Sequence, residues 1–378
     1  MNETVTEENF IKEKFKRYYS SAWTKGPVNI HTREFGFGTW TKKIESRHFS
    51  FANEKELNSY LARNVPFYIS HSVAFYKFPS ARPIQKKEWV NGEIVFDFDA
   101  NQLGSPCTER HGKEWVCREC MGKAKENALR LIEDYLIGEF GVNEESLSVN
   151  FSGNRGYHVH LMGGFEELNS YARREIADYV NGRGVEYEDL FVEDKIRKKT
   201  IGPKTTEGGW KGRFAKIFLE YLTNRRLENI GVTPKTANRF YEKNDAIKQI
   251  EAGNWDTVFI SNKKKFIEKL IAEVIRIKGC GVDEGVTFDT SKLIRMPDSI
   301  HGETGLIAKR MQLKDLKKFD YTTEPIVFKG NPIKISVNNC PEVTLNGQTF
   351  GPYKDKTIEL PEYVAVYLLC KKVATLAQ

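Results

Sequence analysis

The chain has 378 residues, 40% of them hydrophobic and 12% aromatic, which is enough to bury a core in one large domain or in two to three smaller ones. Lys and Arg number 58 against 51 Asp and Glu, and this modest positive excess is compatible with a polyanionic partner but is equally usual in metabolic enzymes. The sequence has no run of about 18 apolar residues, and its charged start lacks the apolar stretch of a signal peptide, so we expect no membrane span and a cytoplasmic protein, or a nuclear one if the source is eukaryotic.

Helical and strand patterns follow one another over the first 165 residues. An amphipathic helix is predicted over 6–20, with an apolar face of Phe10, Ile11, Phe15 and Tyr18 or Tyr19. From about 33 to 100, aromatic and β-branched runs predict strands in EFGFGTW, SRHFSFAN and GEIVFDFDA. The segment KAKENALRLIEDYLIGEFG predicts a helix that Gly141 ends. A hairpin follows, with SLSVNFS and YHVHLMGG on either side of a glycine-rich turn.

The remaining chain predicts an excursion and a return to strands. Residues 168–283 are polar and mainly helical in pattern, strands run from 284 to about 360, and LPEYVAVYLLCKKVATLA predicts a closing helix. This order indicates a mixed α+β fold. We expect a discontinuous core over 1–165 and 284–345, a helical insertion over 168–283, and a C-terminal segment over 346–378 that ends in a helix.

The first motif with chemical potential is Asp97-Phe98-Asp99, after the apolar run Ile94-Val95-Phe96. Side chains two residues apart in a strand share a face, so both carboxylates point one way while Phe96 and Phe98 point into the core. Two carboxylates about 6–7 Å apart at Cα can converge on one or two hard divalent cations. A solvated strand end can carry the same pattern.

The second motif is the hairpin segment SGNRGYHVH, residues 152–160. Its two glycines allow a tight turn that brings backbone N–H groups to an anion, and Arg155 can grip a phosphate with its planar guanidinium. His158 and His160 lie two apart on the returning strand and face the same side. A histidine pair in a strand can also be a half-buried structural feature or a metal site, but beside this turn it favours contact with a triphosphate.

The third motif is VTFDTSKLIRMPDSIHG, residues 286–302. We predict that Asp289 ends an apolar strand and offers a third carboxylate to the cation site. A short capped helix would then carry Lys292 and Arg295, followed by a loop with His301. A helix cap with surface charges would give the same pattern.

A cysteine and histidine cluster lies between the first two motifs. Four potential ligands occur within 14 residues and end in a CxxC knuckle, which suits a closed, tetrahedral, structural zinc site: Cys107, His111, Cys117 and Cys120. Free thiols are the alternative. The crowding indicates metal binding in a reducing compartment, whereas Cys280, Cys340 and Cys370 are isolated.

Together, IVFDFD, SGNRGYHVH, VTFDTSKLIRMPDSIH and the zinc knuckle (104–122) resemble, in order, the motifs of the small, catalytic subunit of archaeal and eukaryotic DNA primases, within the archaeo-eukaryotic primase superfamily. The resemblance covers roughly residues 30 to 330. It implies a core of two sheets that form an RRM-like active-site cleft. The compact length favours an archaeal source.

The resemblance also implies roles for individual residues. The triad that binds Mg²⁺ or Mn²⁺ would be Asp97, Asp99 and Asp289. Contacts with the incoming nucleoside triphosphate would come from Ser152, Arg155, His158, Arg295 and His301. The stretches around Glu34 and Arg47 resemble segments that line the nucleotide site, so we add these two residues. His111 stands where relatives often place a cysteine, which changes the charge of the zinc site but not the expectation of zinc.

The implied reaction is template-directed synthesis of short RNA, or DNA, primers on single-stranded DNA by two-metal nucleotidyl transfer. A large subunit would be the partner and would carry an iron–sulfur cluster, because this chain has too few cysteines for one beyond its zinc set. Basic residues that could contact the template, or simply form a solvated helix face, are Lys195, Arg197, Lys198, Lys199, Lys211 and Arg213.

Two alternatives remain. A primase-polymerase that acts alone in repair belongs to the same superfamily, but the position of the zinc knuckle and the lack of an appended helicase or second zinc domain favour the replicative subunit. A non-catalytic, zinc-bearing nucleic-acid-binding protein would explain the charge and the cysteines. It would leave three aspartates that repel phosphate without a purpose.

Overall fold

A computed structural model describes residues 6–194, 196, 199–243, 245–256 and 263–377. The strands are β1 (Phe35–Gly38), β2 (Ser46–Phe49), β3 (Tyr68–Ser72), β4 (Ala74–Tyr76), β5 (Trp89–Gly92), β6 (Ile94–Asp99), β7 (Leu147–Phe151), β8 (Gly156–Leu161), β9 (Val192–Asp194), β10 (Lys199–Ile201), β11 (Leu293–Arg295), β12 (Arg310–Met311), β13 (Ile333–Cys340), β14 (Val343–Leu345), β15 (Gln348–Phe350), β16 (Tyr353–Leu360) and β17 (Ala374–Leu376).

The α-helices are α1 (Glu7–Ser21), α2 (Glu54–Asn64), α3 (Cys107–His111), α4 (Arg118–Arg130), α5 (Ser170–Asn181), α6 (Tyr187–Leu190), α7 (Gly209–Thr223), α8 (Pro234–Tyr241), α9 (Ala246–Glu251), α10 (Lys263–Lys278), α11 (Glu284–Thr287), α12 (Leu313–Leu316) and α13 (Glu362–Cys370). A π-helical segment, Leu131–Ile137, continues α4. Short 3-10 turns occur at Ile30–Thr32, Ile84–Lys87, Glu144–Ser146 and Leu227–Ile230. The mixture of helices with several small sheets makes this an α+β protein.

The chain divides into two compact units. The first comprises the described residues of Met1–Leu129, Val142–Arg174 and Val282–Gln378, and the second those of Arg130–Gly141 and Glu175–Gly281. The second unit is mainly helical, and Trp255 is completely buried at its centre against Phe191, Phe214 and Phe218.

Two four-stranded antiparallel sheets organise the first unit. The first sheet has the order β11-β3-β1-β2, and the second has the order β12-β7-β8-β6. The alternation predicted for β6 is present: Phe96 and Phe98 are fully buried, whereas Asp97 and Asp99 are only partly buried on the other face. Antiparallel pairing with β8 places His158 opposite Asp97 and Gly156 opposite Asp99, so the register carries both motifs to one face.

The third motif folds differently from the prediction. Residues expected to form an apolar strand before Asp289 form the short helix α11, because Asp283 accepts the backbone N–H of Gly285 and caps it. Residues 293–295, expected to be helical, form β11, which pairs with β3. The predictions of a strand ending at Asp289 and of a helix carrying Arg295 are therefore wrong.

The C-terminal segment also departs from the prediction. The helix that was expected to close the chain ends at Cys370, and the backbone of Lys372 turns into the left-handed region with φ +58°. The chain then returns as β17 and pairs with β13, which also pairs with β16. The segment thus ends in a strand, and the helix end lies at an internal turn.

Candidate active site and metal centre

The carboxylates of β6 lie beside basic and imidazole groups of the β7–β8 hairpin. The His158 Nε2 atom is 3.5 Å from Asp97 Oδ1, and an Arg155 guanidinium nitrogen is 3.3 Å from Asp99 Oδ2. Arg155 also contacts Glu114 at 3.2 Å. The antiparallel register of β6 and β8 places His158 opposite Asp97 and the hairpin turn beside Asp99, so the spacing of the two sequence motifs determines which side chains meet.

The hairpin turn is held by Ser152 and requires its glycines. The Ser152 hydroxyl accepts the backbone N–H groups of Asn154 (3.3 Å) and Gly156 (3.1 Å). A Cβ on Gly156 would lie 1.9 Å from the Phe98 carbonyl oxygen, and Gly153 has φ +81° with His301 close to where its Cβ would be. The glycines therefore let the turn approach β6 and the His301 loop.

Burial and neighbouring carboxylates both raise the pKa of the Asp97 carboxyl group. Burial, Asp99 and Asp283 raise the pKa of Asp97 to about 7, while Lys292 lowers it less. A group of neighbouring carboxylates repel one another unless a cation or a proton intervenes. This is the electrostatic condition in which a hard divalent cation is favoured.

A further carboxylate that acts on Asp97 is that of Asp283, which the sequence motifs did not single out. Its backbone N–H donates to the Asp97 carbonyl at 3.1 Å, and its charge raises the pKa of Asp97. Asp289, which the sequence predicts as the third ligand, accepts the Ser291 hydroxyl at 2.8 Å and helps to raise the pKa of Arg47. The available signal was the DEG sequence at 283–285, which is typical of an N-cap and argued against a strand.

Arg295 and His301, which were also predicted as site residues, line the same cavity as Asp97 and Asp99. Arg295, on β11, donates to the Ile69 carbonyl at 3.2 Å and lies over the Tyr68 ring, and burial lowers its pKa to about 10. Burial and the charge of Arg295 hold the pKa of His301 well below its usual value. His301 Nδ1 accepts the Glu303 backbone N–H at 3.2 Å, so the neutral ring carries its proton on Nε2.

Predicted metal and nucleotide ligands on β6, β8, β11 and the neighbouring loops line one cavity of about 230 Å³. It is lined by Lys43, Ile44, Ser70, Asp97, Asp99, Ser152, Asn154, Arg155, Gly156, His158, Leu293, Ile294, Arg295 and His301. Burial and the nearby charges lower the pKa of His158 to about 3, so the ring is neutral. Among the residues that the structure describes, its Nδ1 and the Arg155 Nε are buried without a hydrogen-bond partner. The cavity therefore offers carboxylates, cations and unused polar atoms to a ligand.

Glu34 and Arg47 lie outside the residues that line this cavity. Glu34 is completely buried and takes two hydrogen bonds from the Arg47 guanidinium, at 2.7 and 3.1 Å. It also accepts the His48 backbone N–H and lies 3.5 Å from Lys87 Nζ. Arg47 is partly exposed, so the buried Glu34 orients a side chain that solvent can reach.

The cysteine and histidine cluster forms as a compact set. The ligand atoms of Cys107, His111, Cys117 and Cys120 all lie within 4.8 Å of one another, which could hold a metal ion. His111 Nδ1 lies 2.8 Å from the Gly112 carbonyl, so a proton on Nδ1 would leave Nε2 free to bind the metal. The other three cysteines, at 280, 340 and 370, are buried free thiols.

Comparison with known proteins gives one consistent result. The family model of the DNA primase small subunit matches residues 96–313. The chain is 33% identical to the DNA primase small subunit PriS of Methanothrix thermoacetophila, over 97% of this chain and 98% of that protein. It is 30% identical to PriS of Methanococcoides burtonii, over 97% of each chain, and 28% identical to PriS of Nitrosopumilus maritimus, over the full length of both. This chain belongs to the DNA primase small subunit family.

The segment matched to the primase family contains Asp97 and Asp99 of β6, the zinc-type cluster, the glycine-rich hairpin and the His301 loop. Glu34, Arg47 and the C-terminal helix lie outside it. Of the residues described, none belongs to a helix with the length and apolar character needed to cross a membrane.

The residues expected to contact a template differ in their surroundings. Lys199 and Lys211 are exposed, whereas Arg213 is mostly buried, pairs with Glu139 at 2.7 Å and lies over the Tyr135 ring. Arg213 therefore has a structural partner within its own unit. Lys195, Arg197 and Lys198 lie outside the described residues.

Proposed function

We propose that this chain is the catalytic subunit of a DNA primase and makes short primers on single-stranded DNA from nucleoside triphosphates. The observation that carries the proposal is the single cavity in which Asp97 and Asp99 face Arg155, His158, Arg295 and His301. The two four-stranded sheets that contribute these residues would form the RRM-like cleft of the family. Membership of the DNA primase small subunit family supports the same activity.

The carboxylates fit divalent metal ions. We assign Asp97, Asp99 and Asp283 as the ligands of Mg²⁺ or Mn²⁺, because Asp97 and Asp99 share one face of β6 and Asp99 and Asp283 both help to raise the pKa of Asp97 to about 7. Bound metal ions would supply positive charge that activates a 3′-hydroxyl and stabilises the leaving pyrophosphate. Asp289, which is engaged with Ser291 and acts on Arg47, leaves the ligand set.

The other residues of the cavity would bind and orient the triphosphate. Arg155 and Arg295 offer charge-assisted hydrogen bonds to phosphate oxygens. Neutral His301 offers the proton on Nε2, and Ser152 keeps the turn closed so that Arg155 stays in place. Holding the α-phosphate in line with the attacking hydroxyl is the main catalytic task of such a site. Arg47, oriented by Glu34, would act at the edge of the nucleotide site.

The cluster at 107–120 would bind a structural Zn²⁺, because all four donors belong to the protein and no position is left for substrate. We further propose a primase large subunit as partner, with the iron–sulfur cluster on that partner, and a cytoplasmic enzyme as in archaeal cells. Similarity to two DNA primase small subunits over nearly their whole length favours this assignment over a primase-polymerase that acts alone.

Primer synthesis without a supplied primer tests the proposal. The purified chain is incubated with single-stranded DNA, labelled nucleoside triphosphates and Mg²⁺ or Mn²⁺, with and without the large subunit. Short products are expected from the wild type and none from the Asp97→Ala/Asp99→Ala variant. If both proteins bind DNA and neither makes products even with the large subunit, the catalytic assignment is wrong and the non-catalytic zinc-bearing protein replaces it.

A further inference from the structure

The C-terminal helix reaches the glycine-rich hairpin through Lys371, a residue outside the segment matched to the family. The Lys371 ammonium donates to the Glu114 carbonyl at 2.8 Å and to Asn154 Oδ1 at 3.4 Å. It also lies over the rings of Trp115 and Tyr367. A lysine at a helix end is usually solvated, but this one is fixed against the turn that carries Arg155.

A second lysine enters the same network through Glu303. The Glu303 carboxylate is 3.1 Å from Lys43 Nζ through one oxygen, and its other oxygen accepts the Asn154 side-chain amide at 2.8 Å. Burial raises the pKa of Glu303, but Lys43, Lys371 and Arg155 outweigh this and lower it overall. One carboxylate thus faces several cations at the edge of the cavity that Lys43, Asn154 and Arg155 line.

Carboxylates and cations both belong to this cavity. Asp97 and Asp99 lie beside His158 and Arg155, at 3.5 and 3.3 Å. Lys43 lines the same cavity, and Lys371 reaches it through Asn154. A triphosphate with its α-phosphate at the carboxylates could therefore extend its terminal phosphate toward these two lysines.

We propose that Lys43 and Lys371 form a subsite for the terminal phosphate of the incoming nucleoside triphosphate, with Glu303 as the counter-charge that the phosphate displaces. This inference rests on the proposed function and deepens it. The subsite distinguishes a triphosphate from a diphosphate, which lacks the group that reaches the lysines. It also gives the C-terminal helix a part in selecting the substrate.

The lysine next to Lys371 provides a matched control. Lys372 is exposed, donates to the Trp40 carbonyl at 2.9 Å and lies over the Trp40 ring, so it carries the same charge on a different contact. Methionine is similar in length to lysine but carries no charge. Lys371→Met and Lys43→Met are therefore compared with Lys372→Met.

Binding of ATP and of ADP is measured by calorimetry on the full chain, with Mg²⁺ and without template. The wild type should prefer ATP. Lys371→Met and Lys43→Met should each weaken ATP about tenfold, as for loss of one charge-assisted hydrogen bond, and ADP less than about twofold. Lys372→Met should change neither affinity. Glu303→Gln should tighten ATP, a gain that damage to the fold cannot produce.

Equal weakening of ATP and ADP in Lys371→Met, or an unchanged ratio of the two affinities, overturns the subsite. Loss of affinity for single-stranded DNA instead of ATP would overturn it as well and would assign Lys371 to the template. If the wild type makes primers while the ratio is independent of both lysines, only this inference fails. If the wild type neither binds ATP nor makes primers, the proposed function fails with it.

Discussion

Two acidic clusters of the first unit differ in how their charge is balanced. Around Asp97, burial and the neighbouring carboxylates raise the pKa to about 7, and Lys292 offsets only part of this. Glu34 is buried more completely, yet it is surrounded by the Arg47 guanidinium, the Lys87 ammonium and a backbone N–H. The first cluster needs positive charge from a ligand, and the second already has it from the chain. Charge balance therefore distinguishes a candidate metal site from a structural ion pair.

The largest expected effect separates Asp283 from Asp289. Asp97→Asn and Asp283→Asn should each lower the rate of primer synthesis by about a thousandfold or more, because metal-supplied charge is worth several kcal/mol in the transition state and each 1.36 kcal/mol is tenfold. Asp289→Asn should lower it by less than about tenfold, since the Asp289 carboxylate accepts the Ser291 hydroxyl and raises the pKa of Arg47. Initial rates at saturating Mg²⁺ provide the measurement.

Melting temperatures of the three variants show whether each remains folded. A severe loss in Asp289→Asn together with near wild-type rates in Asp283→Asn would restore the assignment made from the sequence. It would also mean that the Asp283 carboxylate acts only as the cap of α11.

The comparison also shows what the sequence could and could not predict. The facing of Asp97 and Asp99 was predictable because the two-residue period of a strand is local. The effect of Asp283 on Asp97 was not, since both Asp283 and Asp289 follow apolar residues and the packing of α11 beside β6 is a tertiary contact. The run VTF reads as strand by composition, but its valine is buried with Val73, Val95 and Ile294 from a helical turn.

Contacts between residues that are distant in the chain could not be predicted from the sequence either. Glu34 and Arg47 were selected by resemblance to nucleotide-site segments, but their bidentate pairing depends on the antiparallel contact of β1 and β2. No sequence pattern marked Lys371 as a site residue. Its contact with Asn154 joins the end of α13 to a hairpin that lies more than 200 residues earlier in the chain. Local periodicity predicts which face a residue occupies, whereas the partner on that face is set by the tertiary fold.

Removing the charge of Glu34 should lower the free energy of unfolding more than removing the charge of a carboxylate in an exposed ion pair. Glu34→Gln leaves Lys87 buried without its carboxylate, and breaking a buried ion pair costs about 3 kcal/mol. The control is Glu88→Gln, whose carboxylate pairs with Lys77 at the surface and contributes about 1 kcal/mol or less. Urea unfolding at neutral pH measures both variants. Equal losses in the two would show that the Glu34 cluster is not a structural ion pair of this kind.

A smaller loss of unfolding free energy is expected in acid, from the buried His71 beside an ion pair whose two charges balance each other. Burial and Arg33 lower the pKa of His71 to about 3, with the Arg33–Glu93 ion pair alongside. The unfolded chain takes up a proton near the ordinary pKa of about 6.5 and the native protein does not, so stability present above that pH is lost as the pH falls toward 3. Between pH 7 and pH 5 this one group should cost about 2 kcal/mol of unfolding free energy.

The measurement is the difference in unfolding free energy between pH 7 and pH 5, compared in the wild type and in His71→Gln. The variant should lose less stability over this interval than the wild type, whatever its stability at pH 7, because the group that titrates only on unfolding is gone. The exposed His31, changed to Gln, should leave the difference as in the wild type. If His71→Gln loses as much as the wild type, His71 is protonated in the native protein, and the Arg33–Glu93 pair does not balance this region as the structure indicates.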